Sequence, residues 1–200
     1  MKKESEKSRM LEIYNSNCAT RAINTFVDFA GTDKLLNKEL LVLTLMAYKG
    51  TTTVPYLKKI LTVGPDREIN KLVEQGYVVI DRAEGRTKYY KVSYKPVSSE
   101  VFSESTMYTF CNALFNLGKY VRDYKLTSWN ILASMVELPL HLSNTATVNY
   151  EPTAMKCISG NKANHLSVRN KLVKYGIIKE SRSEGKDNYK LNQRAYFLGG

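Results

Sequence analysis

Two runs of this 200-residue sequence, one hundred positions apart, carry side chains that can hydrogen-bond to the edges of DNA bases. The first run contains Asp66, Arg67, Asn70 and Lys71, and the second contains Lys162, Asn164, His165, Ser167, Arg169 and Asn170. In the major groove, arginine pairs bidentately with guanine, and asparagine pairs with adenine. We therefore expect Arg67 and Asn70 to contact bases. The alternative interpretation is that both runs are ordinary solvated helix faces.

Basic residues also follow each run. They are Arg82, Arg86 and Lys88 after the first run, and Arg182 and Lys186 after the second. Each group surrounds a glycine-containing turn between segments rich in β-branched and aromatic residues, which predicts a β-hairpin. Such cations suit DNA phosphates or a minor groove, with ordinary hairpin solubility as the alternative. We expect Tyr89, Tyr90 and Tyr189 to pack on a core rather than to stack on single-stranded bases.

The two runs belong to an internal repeat. From 70 to 89, nine of twenty residues are identical to those one hundred positions later, without a gap, where unrelated sequence would match at about one or two. Two copies are too few for a solenoid, which needs three or more units. The repeat predicts two domains, residues 1–97 and 98–200, joined near a Pro- and Ser-containing segment at 95–99.

Hydrophobic periodicity and capping residues predict the same elements in each copy. In the first, helices are expected at 4–30, from an N-cap at Asn37 to Gly50, at 54–61 and from Pro65 to Gly76, followed by strands at 77–80 and 88–92. In the second, helices are expected at 103–122, from Thr127, at about 152–158 and up to Tyr175, with a hairpin at 177–191 that turns at 184–186. The second helices of the two copies match at an offset of ninety positions, whereas the later parts match at one hundred. Ten extra residues are therefore expected in the second copy, in a loop at 139–150.

A short helix, a turn of three or four residues, a second helix and a basic hairpin form a winged helix-turn-helix. The predicted fold is therefore mainly α with small β-hairpin wings, arranged as two tandem winged helix-turn-helix domains. The front residues of the two recognition helices differ, whereas Asn70 and Lys71 recur as Asn170 and Lys171 towards the back, where they suit phosphate or structural work. Different front residues predict two different half-sites and an asymmetric operator.

Two segments resemble the MarR-type transcriptional regulators. Leu126-Thr127-Ser128-Trp129-x-Ile131-Leu132 is similar to the opening of their second helix, and Asn-Lys-Leu-Val-x-x-Gly, followed by strand, turn and strand, is similar to their recognition helix and wing. The tandem layout resembles the two-domain SarA group, and the resemblance covers nearly all of residues 10–195. The wings depart from the family's Asp-x-Arg pattern, with Asp81-Arg82 in one copy and Ser181-Arg182 in the other.

This resemblance implies a DNA-binding regulator whose apolar first helices, including the Met107–Leu117 face, form a dimer interface. With two copies in one chain, these helices could pair as an internal pseudo-dimer. A homodimer of whole chains remains an alternative, and each first helix could also simply complete its own core.

The net charge of +11 supports a polyanionic partner. Residues 1–97 carry 17 basic and 11 acidic residues, and residues 98–200 carry 13 and 8, so both copies share the excess. Colloidal solubility is the alternative explanation. We also expect basic front faces on both recognition helices, which argues against a surface that docks another protein.

Other classes of protein are disfavoured. Cys18, Cys111 and Cys157 are isolated, and with His141 and His165 they fit no common zinc spacing. No phosphate-binding loop, nucleophile elbow or dinucleotide motif is present. We therefore expect no catalytic residues, no metal and no cofactor. No apolar run reaches the length of about 18 residues typical of a membrane span, and the first residues lack an apolar signal core, which predicts a cytoplasmic protein with no membrane partner.

The leading hypothesis is a sequence-specific regulator of transcription that binds double-stranded DNA with two recognition helices and two wings. One alternative is a DNA-binding protein of plasmid or phage replication or partition, since tandem winged helices also serve there. The other is a winged-helix module that binds proteins.

Overall fold

Helices and two small antiparallel sheets divide the chain into two units, each with one three-stranded sheet. A computed structural model describes residues 14–142, 147–149, 155–158, 162–181 and 188–196. The N-terminal unit comprises Asn15–Val101 and Leu117–Thr127; the C-terminal unit contains Tyr14, Phe102–Asn116 and the described residues from Ser128 onward. The chain leaves the first unit four residues past the predicted boundary at 97, and the segment 117–127 groups with that unit.

The N-terminal unit follows the predicted order of elements. Its elements are α1 (Ser16–Phe29), α2 (Asn37–Lys49), β1 (Thr51–Thr52), α3 (Val54–Leu61), α4 (Asp66–Glu74), β2 (Val78–Glu84) and β3 (Thr87–Val92). The strand order is β1-β3-β2, and all pairs are antiparallel. The predicted helices at 54–61 and between Pro65 and Gly76 are confirmed, and the hairpin is present with a longer first strand than predicted.

Helix α2 forms the centre of this unit. Every residue from Leu40 to Tyr48 is buried, as expected of a helix that is packed on all sides. The buried Thr44 hydroxyl donates to the Leu40 carbonyl oxygen (2.7 Å), so its polar group is satisfied within the helix. The prediction that Asn37 is the N-cap is wrong. Leu36 occupies that position, because the Glu39 carboxylate accepts the Leu36 N–H (2.9 Å) in place of a capping side chain.

Local sequence determines where α3 and α4 begin and end. The Thr53 hydroxyl accepts the Tyr56 N–H (3.4 Å) at the start of α3, and Thr62 ends it with a left-handed φ of 60°. Gly76, with φ of 77°, follows α4 at a position that favours glycine. There the Tyr77 N–H donates to the Leu72 carbonyl oxygen (3.0 Å) and turns the chain into the hairpin.

The C-terminal unit is built from similar elements with different bounds. After α5 (Glu104–Phe115) the chain forms α6 (Leu117–Asp123), which groups with the N-terminal unit. The other elements of the C-terminal unit are α7 (Trp129–Glu137), a 3-10 helix (Leu138–His141), β4 (Thr147–Asn149), a second 3-10 helix (Lys156–Ile158), α8 (Lys162–Lys174), β5 (Ile178–Glu180), β6 (Asn188–Leu191) and α9 (Gln193–Tyr196). Its strand order is β4-β6-β5. The predicted hairpin turn at 184–186 lies outside the described residues.

Three predictions for the second copy need correction. The single helix expected at 103–122 is two helices, α5 and α6 (Leu117–Asp123), separated at Asn116, whose side-chain amide donates to the Ala195 carbonyl oxygen (3.1 Å). The helix expected at about 152–158 is the 3-10 turn at Lys156–Ile158 in its described part. The segment expected to be an inserted loop contains β4, which pairs with β6.

Strand pairing refines the alignment of the two copies. Tyr90 pairs with Ile80, and Tyr189 pairs with Glu180 at the equivalent place in its hairpin. Tyr189 therefore corresponds to Tyr90 and not to Tyr89, because a bulge at Asp81 adds one residue to the first hairpin. Tyr90 and Tyr189 are both buried, which confirms that they pack on the core.

Helix α6 packs closely on α3 within the N-terminal unit. The Thr62 hydroxyl donates to the Gly118 carbonyl oxygen (3.4 Å). A Cβ atom at Gly118 would lie 2.0 Å from the Ile60 carbonyl oxygen, so only glycine allows this approach. None of the helices among the described residues is long and apolar enough to cross a membrane.

We predict that Gly118→Ala lowers the free energy of unfolding by about 1–3 kcal/mol, because the new methyl group forces α6 away from α3. Gly64→Ala is the matched control. Its Cβ would meet only the end of the Asp66 side chain at 3.2 Å, and we expect a change of about 0.5 kcal/mol or less. Urea denaturation measures both variants, and equal losses would contradict the close approach.

Candidate nucleic-acid interface

The exposed face of α4 carries three of the predicted base-contacting residues. Asp66, Arg67 and Asn70 face solvent, as predicted, and Glu74 continues the face one turn later. The opposite face is buried in the unit through Ile69 and Leu72. The prediction of a basic front face is wrong for α4, because Arg67 is the only cation among these four residues and two are acidic.

The fourth predicted residue, Lys71, has a structural contact. Its ammonium group lies 2.7 Å from Oε1 of Glu39, whose side chain is only 6% exposed. The other carboxylate oxygen of Glu39 accepts the Leu36 N–H, so one buried carboxylate joins the start of α2 to α4. A second ion pair, Lys38 to Glu68 (2.9 Å), joins the same two helices. Of the two roles predicted for Lys71, the structural one is observed.

The cations of the first hairpin fall into two classes. The Arg82 guanidinium lies 2.9 Å from Glu84 and 3.2 Å from Asp81, and it stacks 4.0 Å from the centroid of the Tyr89 ring. The hydrogen bond to Glu84, followed by that to Asp81, raises the pKa of Arg82. Arg86 and Lys88 are exposed, and neither forms an ion pair within the part of the chain that the structure describes. Arg82 is therefore paired with two carboxylates of its own hairpin, whereas Arg86 and Lys88 face solvent.

Helix α4 and the β2–β3 hairpin meet at an open cleft of about 320 Å³. Its lining residues are Val54, Pro55, Asp66, Arg86, Thr87, Lys88 and Tyr90. The cleft places Asp66, the first residue of α4, beside Arg86 and Lys88 of the hairpin. Its lining combines apolar residues with charged groups of both signs.

Helix α8 presents a different surface. Ser167 and Asn170 are exposed, as predicted, and so are Lys171 and Lys174. The prediction that His165 faces solvent is wrong, because His165 is only 5% exposed. The aligned residue of the first copy, Pro65 just before α4, is also buried. Arg169 is half-buried at the position of buried Ile69.

The remaining predicted residues of the second copy are not described at the side-chain level. Lys162 and Asn164 lie in the first turn of α8, where the structure describes the backbone alone. Arg182 and Lys186 lie outside the described residues. Sequence reasoning also missed Leu166, which is 57% exposed on α8. Its alignment with Asp66, one hundred positions earlier, could have indicated its exposure.

A second buried carboxylate, also missed, supports the segment before α8. Glu137 is 1% exposed and accepts the backbone N–H groups of Lys156 (2.6 Å) and Cys157 (2.9 Å). Its Oε1 also lies 3.2 Å from Nε2 of His141. Burial, followed by the Glu137 charge, raises the pKa of the Cys157 thiol well above its ordinary value. The sequence did contain a signal for this buried carboxylate, because Glu137 is the only charged residue in the segment 131–138.

Asp28 of α1 holds the segment that follows the hairpin through hydrogen bonds. Its carboxylate accepts the Tyr94 hydroxyl (2.9 Å), the Val97 N–H (2.7 Å), and both the N–H and the hydroxyl of Ser98. Partial burial acts to raise the pKa of Asp28, but the hydrogen bonds from Ser98, Val97 and Tyr94 outweigh it and lower this pKa. Burial and the hydrogen bond to Asp28 raise the pKa of Tyr94 to about 12.

No protein-family model, curated protein or solved structure matches this chain. The resemblance to MarR- and SarA-type regulators therefore stays a prediction from the residues that carry it. Within the described ranges, no group of three histidine, cysteine, aspartate or glutamate residues could hold a metal ion.

We predict that Lys71→Ala lowers the free energy of unfolding by about 1–3 kcal/mol, because it leaves the Glu39 carboxylate buried without its cation. Lys171→Ala removes the residue at the aligned position of the second copy. Since Lys171 is exposed, we expect a loss of about 0.5 kcal/mol or less. Chemical denaturation compares the two variants, and similar losses would refute the structural role of Lys71.

We also predict a pH-dependent effect of Asp28→Asn. The folded-state pKa of Asp28 is lowered, so its ionisation stabilises the fold above the unfolded value of about 3.9 and this contribution disappears as the pH falls through the folded value. The gap in unfolding free energy between the wild type and Asp28→Asn should thus be largest above about pH 5 and should shrink below about pH 4. Urea denaturation from pH 3 to pH 6 measures the gap. Asp33→Asn, on an exposed turn, is the control for loss of a carboxylate.

Proposed function

We propose that this chain is a sequence-specific, double-stranded-DNA-binding regulator of transcription, built from two tandem winged helix-turn-helix domains like those of MarR- and SarA-type proteins. One observation carries the proposal. Arg67 and Asn70 are exposed on one face of α4, and the cleft at the start of that helix is lined by the unpaired hairpin cations Arg86 and Lys88. Of the residues on this face of α4, Asp66 shares the cleft with Arg86 and Lys88, so the exposed face begins at the hairpin cations.

Each exposed side chain of α4 suits a different base. An arginine such as Arg67 pairs with guanine, Asn70 suits adenine, and Asp66 can accept a hydrogen bond from the cytosine amino group. The acidic residues Asp66 and Glu74 repel phosphates. Binding of α4 to arbitrary DNA is therefore weak, and its contribution is discrimination between sequences rather than affinity.

The hairpin supplies affinity in this proposal. Arg86 and Lys88 are exposed near the turn, where a wing reaches the DNA backbone or minor groove. Arg82 is held by Asp81 and Glu84, and its charge is less available to phosphates. We therefore assign the phosphate contacts of the first wing to Arg86 and Lys88.

The C-terminal unit contributes a helix with a different exposed face. On α8, Lys171 and Lys174 accompany Ser167 and Asn170. Glu74 of α4 aligns with Lys174, so the sign of the charge at this position is reversed between the two helices. Two helices with unlike faces support an operator with unlike half-sites.

A protein-binding role for the C-terminal unit is the second candidate. The observation in its favour is that Leu166 and Val173 are exposed on one face of α8, at 57% and 37%. Exposed apolar residues on such a face are typical of a surface that docks a partner. Polar neighbours separate these two residues, however, and the unit shares the positive charge of the chain.

Selection of the full chain on random duplex DNA tests the proposal. We expect enrichment of one asymmetric sequence whose half-sites lie about one helical turn apart. If no sequence is enriched and the affinity depends only on salt concentration, the proposal fails.

Two variants separate base contacts from backbone contacts on the selected sequence. Arg67→Ala should weaken binding by about 1–3 kcal/mol and relax the preference at one base position. Lys88→Ala should weaken binding to all sequences alike and reduce the salt slope by about one. Titrations at several salt concentrations measure both effects. An equal loss on every sequence for Arg67→Ala would assign Arg67 to the backbone.

A further inference from the structure

Leu166 is a large apolar residue on the face of α8 that we propose contacts DNA. Its side chain is 57% exposed, in the second turn of the helix. Asn170 and Val173 lie four and seven residues later and share its face. In the first copy, the aligned position is the exposed Asp66 on the face of α4.

Leu166 lies outside the buried face of α8. The face of α8 that packs inward carries His165, Val168 and Leu172, all of which are buried. An exposed leucine is not unusual by itself. This one, however, lies next to Ser167 and one turn before Asn170, both exposed polar residues.

The major groove offers one apolar group to such a side chain, the 5-methyl group of thymine. A leucine against this methyl group removes apolar surface of both partners from water. A polar base edge offers Leu166 no partner and would lose hydrogen bonds to water. The side chain therefore favours thymine over the other bases.

We infer that Leu166 is a specificity-determining residue that contacts the 5-methyl group of one thymine in the half-site bound by the C-terminal unit. This inference rests on the proposed function. It also gives a chemical reason for unlike half-sites. At the aligned position, Asp66 suits the amino group of cytosine, whereas Leu166 suits the methyl group of thymine, so the two helices distinguish the two pyrimidines.

The test replaces thymine by deoxyuridine, which lacks only the methyl group. In the sequence selected by the full chain, each thymine is replaced singly and the dissociation constant is measured. We expect one replacement in the second half-site to weaken binding by about fourfold, the effect of burying one methyl group.

Two variants assign the effect to the residue. Leu166→Ser should abolish the sensitivity to that deoxyuridine, whereas Val173→Ser, two turns later on the same face, should retain it. Both positions are exposed, and thermal unfolding confirms that the variants fold.

The inference is overturned if the wild type is insensitive to every replacement in that half-site, if the half-site contains no thymine, or if the sensitivity persists in Leu166→Ser. In these cases a selected sequence still exists and the proposed function stands, with Leu166 left as a candidate contact for a protein. If selection enriches no sequence, the proposed function itself fails, and the inference falls with it.

Discussion

The buried carboxylate of Glu39 is the constraint on which the proposed interface depends. It accepts the Leu36 N–H at the start of α2 and pairs with Lys71 of α4. A buried charge needs both partners, because either one alone leaves it poorly compensated. Helix α4 is therefore held against the central helix of its unit, and its opposite face is left for solvent. The C-terminal unit uses another carboxylate, Glu137 at the end of α7, which holds the backbone before α8.

The two copies share the order of their elements more than they share the roles of individual residues. Lys71 and Lys171 are identical in the alignment, yet the first is paired with a buried glutamate and the second is exposed. Trp129 occupies the position that aligns with Glu39, so the same ion pair cannot form in the second copy. The exposed faces of α4 and α8 have diverged further, from a mixed acidic and basic surface to one that combines lysines with Leu166. Two units with similar elements but unlike exposed faces on α4 and α8 fit the asymmetric operator of the proposed function.

Sequence patterns predicted the elements whose determinants are local. Helices α3 and α4 were located from Thr53 at one start and Gly76 at one end, and helical spacing identified the exposed face of α4, including Arg67. One feature that failed is local, because Glu39 lies only three residues after the Leu36 that it caps, and the others depend on partners distant in sequence. Glu39 displaces the expected cap at Asn37, and His165 enters the core at a place that only the three-dimensional packing reveals. The one-residue shift between the hairpins and the break between α5 and α6 likewise depend on strand pairing and tertiary contacts, which periodicity does not report.

In the proposed function, the exposed faces of α4 and α8 read different DNA sequences. The most direct test of this difference exchanges the face of α4 for that of α8 by the triple substitution Asp66→Leu, Arg67→Ser and Glu74→Lys, followed by selection on random duplex DNA. All three residues are exposed, so the fold stays intact. We expect one half-site to change so that it resembles the other, and the selected sequence to become more symmetric. Enrichment of the unchanged wild-type sequence would contradict this expectation.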